Sequence, residues 1–153
     1  MIDRRAISPL IATLLLLSFA TALGVVVMNF GSAQVELEAQ CPIDIGLKLA
    51  TIGGQPEFCY NAAKKDIAFT IENGVNIKVE GIIVNVIGSQ EAKTFTVNQA
   101  KMDKLGNYLG HIQYDSSVSG EIRQVKITPK VVMYDEEQIC LEKALIVENV
   151  RKC

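Results

Sequence analysis

Residues 7–35 contain no charged side chain, whereas Asp3, Arg4 and Arg5 precede them and Glu36 and Glu38 follow. Wound as an α-helix at about 1.5 Å per residue, such a run reaches about 43 Å, more than the ~30 Å hydrocarbon core of a bilayer. The expectation is a membrane-crossing hydrophobic helix over residues 7–38. Arg4 and Arg5 at one end and acids at the other predict a cytoplasmic N-terminus, with everything after about Glu36 outside. Ser8-Pro9 reads as the helix start, because Ser caps free N–H groups and Pro lacks an N–H where none has a partner. Small residues recur along the run. Ala20 and Gly24, four apart, let a second helix approach closely, and Gly31 joins them as an expected packing position.

Outside this segment the chain changes character. With 49% hydrophobic and 21% charged residues it is not disordered, and its net charge of −2 offers no basic face for nucleic acid. Residues 43–49 alternate apolar with other side chains, and Gly53-Gly54-Gln55-Pro56 reads as a turn. Residues 58–60 and 67–72 read as strands, the latter ended by Asn73-Gly74, the strongest short hairpin signal. Strand patterns follow at residues 77–80, 82–87, 93–97, 111–114 and 122–133, with a loop over 98–109 and a polar turn over 116–120. Pro129 predicts a bulge or an edge, and Asp135-Glu136-Glu137 a turn. Residues 139–141 and 144–150 close the chain. Short strands at this spacing predict an all-β sandwich or barrel. The sandwich is the expectation, so the fold class is α+β: a long hydrophobic helix, then an immunoglobulin-like sandwich head over residues 39–153.

Cys41, Cys59, Cys140 and Cys153 all lie beyond the apolar run, as disulfides in an oxidising compartment would. The short loops favour Cys41–Cys59 and Cys140–Cys153. If residues 141–150 form one straight strand, Cys153 lies too far from Cys140 and the pairing must be long-range. No cysteine pair has zinc-knuckle spacing, and His111 is the single histidine. His111 as a general base and Glu136-Glu137 as a calcium ligand are the only catalytic or metal readings, and a structural role suits each better. No phosphate loop, nucleophile elbow or zincin motif occurs. No enzyme activity, metal or cofactor is expected, and no Asn-x-Ser/Thr sequon is present.

Three processing schemes suit the N-terminus. It can be a plain anchor, or a secretory signal cut after Ala20-Thr21-Ala22, although that cut leaves an apolar end on the mature chain. The third comes from likeness. Arg4-Arg5-Ala6-Ile7-Ser8-Pro9, followed by an aliphatic stretch, resembles the prepilin signal of archaeal type IV pilins and archaellins. Ile11 stands where bacterial relatives carry an acid.

The resemblance covers about 30 residues and implies a leader, residues 1–6, cut by prepilin peptidase between Ala6 and Ile7. It implies a cell-surface filament subunit, stored in the membrane and serving adhesion, whose helices bundle into a homopolymeric core. A pilus assembly platform and its ATPase would act indirectly. An archaellin or an archaellum-associated subunit in motility shares these features, and a non-polymerising anchored binding domain is the remaining alternative.

Overall fold

The computed structural model describes residues 4–37 and 41–153, with helix side chains described over residues 9–28. The chain divides into two units, Met1–Ala39 and Gln40–Cys153.

The first unit is one helix, α1, over Arg4–Leu37. It begins ahead of the expected Ser8-Pro9 start, which places Pro9 inside the helix. Pro9 has no N–H to give the Arg5 carbonyl, so the first turns lose one hydrogen bond and are locally weakened. The long apolar run downstream carries the helix past that defect.

The second unit is β-rich, giving an α+β chain. It contains β1 (Lys48–Leu49), β2 (Thr51–Ile52), β3 (Gln55–Pro56), β4 (Phe58–Asn61), β5 (Asp66–Glu72) and β6 (Gly81–Gly88). Then come β7 (Ala92–Val97), β8 (Asn107–Gln113), helix α2 (Ser116–Ser119), β9 (Ile122–Met133) and β10 (Glu136–Ile139). A 3₁₀ turn (Leu141–Lys143), β11 (Leu145–Val147) and β12 (Arg151–Lys152) complete it. One sheet joins β1, β4, β5, β8 and β12, another joins β6, β7, β9, β10 and β11, and β2–β3 is a separate hairpin.

Period-two alternation builds both sheets. Ile67, Phe69 and Ile71 of β5, and Ile82, Val84 and Val86 of β6, are buried in one cluster with Val125, Ile127 and Val131 of β9. Phe58 stacks on Phe69 with ring centroids 6.0 Å apart. Each such side chain removed from water stabilises the fold by about 1.5–3 kcal/mol.

Several expectations are corrected. Residues 43–47 alternate in burial, with Ile45 fully enclosed, but only Lys48–Leu49 pairs as a strand. Asn73-Gly74 does not turn a hairpin, for β5 pairs with β1, β4 and β8 and none of these follows it directly. Asn73 is buried instead, and its amide donates to the Ile77 (2.7 Å) and Asp103 (3.0 Å) carbonyls, pinning two loops. A Cβ on Gly74 would lie 2.3 Å from the Ile45 carbonyl oxygen, so close backbone approach selects this glycine. The loop expected over 98–109 ends early, because β8 starts at Asn107. The polar turn at 116–120 contains the short helix α2.

Pro129 marks neither a bulge nor an outer edge. It sits inside β9, between β6 on one side and β10 with β11 on the other. The Pro129 carbonyl accepts from Cys140 N at 3.0 Å, in the gap between the end of β10 and the start of β11. In an antiparallel ladder a residue's N–H and C=O face the same side. The missing N–H therefore falls into that gap and costs no ladder bond.

The disulfides are Cys41–Cys140 and Cys59–Cys153, with Cα atoms 5.5 and 4.9 Å apart, which overturns the two short loops. β10 carries Cys140 away along β9, while parallel pairing of β12 with β4 sets Arg151 opposite Cys59.

Candidate functional site

Over Pro9–Met28, helix α1 carries no charged side chain on any face. Over Pro9–Met28 its mean hydropathy is 2.5, and none of that window is buried. Leu14, Leu15, Leu16 and Leu17 point in four successive directions and all are exposed. A helix without a polar face belongs in lipid or among other helices. The hydroxyls within Pro9–Met28 are already satisfied: Thr13 donates to the Leu10 carbonyl (2.9 Å), Ser18 to that of Leu14 (2.5 Å) and Thr21 to that of Ser18 (3.0 Å). Turned back on the backbone, they leave no donor that needs water. Nothing lies within 4 Å of where a Cβ on Gly24 would sit, so its backbone is open to a neighbour. Ala20 is exposed one turn earlier.

The side chains of the cleavage motif, Arg4, Arg5, Ala6, Ile7 and Ser8, lie outside the described residues, as do those of Gly31 and the leader residues Met1, Ile2 and Asp3. Pro9, the last of the motif, is exposed.

In the β-rich unit, His111 is exposed and its Nδ1 stands 2.8 Å from Asp66 Oδ2. Glu137 pairs with Lys130, and among the described residues no three His, Cys, Asp or Glu side chains converge. A depression of about 580 Å³ is bordered by Asp44, Glu72 and Asn73, but Lys48 already neutralises Glu72 at 3.0 Å.

One electrostatic pair was invisible in the sequence because 50 residues separate its members. Lys65 Nζ meets Asp115 Oδ2 at 2.5 Å, and Asp115 also accepts from Ser117 N as the N-cap of α2. The Lys65 hydrogen bond, then those from Ser117, hold the Asp115 carboxyl down at about 2 against an ordinary 3.8. The same bond raises Lys65. A depressed carboxyl stabilises the fold above its unfolded value and loses that contribution as pH falls through its folded value. Thermal melts are expected to drop more steeply between about pH 4 and pH 2 for the native chain than for Asp115→Asn. Equal slopes would show that the pair contributes nothing. Both groups are partly exposed, so salt shrinks the difference.

Side chains of β9 and of the chain end also come together. Arg123 and Arg151 border a depression of about 420 Å³, and Lys152 borders an adjoining one of about 380 Å³; Ile122 and Val150 line both. No motif predicts this, because β9 and the chain end meet only in the fold. No protein family, curated protein or solved structure matches the chain.

Proposed function

We propose that this chain is a structural subunit of a type IV pilin-like cell-surface filament, cut between Ala6 and Ile7. The observation that carries the reading is α1, which over Pro9–Met28 carries no charged side chain, is unburied and is free of unmet hydroxyl donors. Such a helix is stable in a bilayer before assembly and in a bundle of its own kind afterwards. Two disulfides beyond it suit an oxidising exterior. The loss of a helical hydrogen bond at Pro9 weakens the turn holding Ala6-Ile7, the bond a peptidase must reach in extended form. The two sheets with one shared core suit an immunoglobulin-like sandwich as the head, to which the filament reading assigns adhesion.

The test is the N-terminal residue and intact mass of protein sheared from cells. A start at Ile7 in sedimentable material is the expected result. A start near Leu23, or Met1 retained only in membranes, would overturn the reading and leave a secreted or anchored β domain.

A further inference from the structure

The turn joining β9 to β10 is Tyr134-Asp135, since Met133 pairs with Glu136. Both turn residues have positive φ, 54° and 64°. That is the two-residue turn for which folding favours Asn and Gly. Tyrosine is strained there, because its Cβ crowds the backbone at positive φ. It is nevertheless 90% exposed, so burial in its own fold does not compensate. An exposed aromatic in a strained, rigid turn has the character of a binding anchor. Asp135 and Glu136 follow it directly, and neither forms an ion pair among the described residues.

At the other end of β9 lie the adjoining depressions lined by Ile122 and Val150, with Arg123, Arg151 and Lys152 around them. These cations also make no ion pair among the described residues, and they outnumber the bordering carboxylates, Glu121 and Glu148, by three to two. Arg123 and Tyr134 are eleven residues apart along β9 and its turn, about 36 Å at ~3.3 Å per residue. A chain therefore cannot seat its own turn in its own depression. We infer that the occupant is a second copy of this chain, whose Tyr134 enters over Ile122 and Val150 while Asp135 and Glu136 meet Arg123 and Arg151. The contact is head-to-tail and propagates where it does not close into a ring. It is small and hence weak alone, gaining strength where copies are held close together.

The contact does not depend on the filament reading, and its test does not either. In the full chain in detergent at high concentration, p-benzoylphenylalanine at position 134 is expected to cross-link to the 121–124 or 148–152 peptide of another copy. Arg123→Glu with Arg151→Glu, or Asp135→Arg with Glu136→Arg, is expected to lower that yield about fivefold. Mixing the photoreactive Arg123→Glu/Arg151→Glu chain with the Asp135→Arg/Glu136→Arg chain is expected to restore it, because one intact turn then meets one intact depression. That recovery also shows that both variants fold. Cross-links elsewhere, a yield indifferent to charge reversal, or no recovery on mixing would overturn the contact. The N-terminal start at Ile7 would be unaffected.

Discussion

Replacing Cys41 and Cys140 together by alanine is expected to lower the stability of the β-rich unit by about 3–5 kcal/mol. The bridge spans 99 residues of chain, but the intact Cys59–Cys153 bridge shortens the path between its ends to about 31 residues, for which the chain-entropy model gives about 3.7 kcal/mol at 25 °C. A domain of this size holds only about 5–15 kcal/mol in all, so the loss approaches unfolding at physiological temperature. Denaturant titration of the oxidised chain and the double variant measures it. Non-reducing proteolysis should return the 41–140 and 59–153 peptide pairs. A change under about 1 kcal/mol, or recovery of a 41–59 pair, would reject the long-range staple.

If the chain assembles as proposed, Gly24→Leu is expected to cut the yield of sheared filaments at least about tenfold while leaving the helix and the β-rich unit folded. The two effects have opposite signs. Leucine raises intrinsic helix stability by nearly 1 kcal/mol over glycine. The same side chain fills the open backbone beside Gly24, where a neighbouring helix would approach. Gly24→Ala, which adds one methyl group, should retain most of the yield. Circular dichroism and intact membrane insertion separate misfolding from failed assembly. Normal filaments from Gly24→Leu would remove Gly24 from the packing surface and leave the start at Ile7 untouched as a separate test.

The apolar helix and the principal strands were legible because each depends on neighbours in sequence. A charge-free run needs no partner to be recognised. The alternation in β5, β6 and β9 reports burial directly, since every second side chain points to the same face. The same rule misled at residues 43–47, where Ile45 is buried without strand pairing. At Asn73-Gly74 the hairpin signal was correct that the strand ends there and wrong that its partner comes next in the chain. The Asn73 amide found carbonyls across the fold, and Gly74 was selected by contact with Ile45.

By itself, the sequence determined that one long segment avoids water and that the remainder forms short strands with four cysteines outside the apolar run. These are properties of composition and period, and period is local. Which cysteines bond, how Lys65 reaches Asp115, and that Arg123 and Arg151 border one depression were decided only by the tertiary structure. Each brings together residues far apart in the chain, up to 99 positions for Cys41 and Cys140. The physical reason is that alternation tells a strand which face to bury but not which strand to lie beside. That choice comes from packing the whole core, which set β12 against β4 and so brought the chain end beside Cys59.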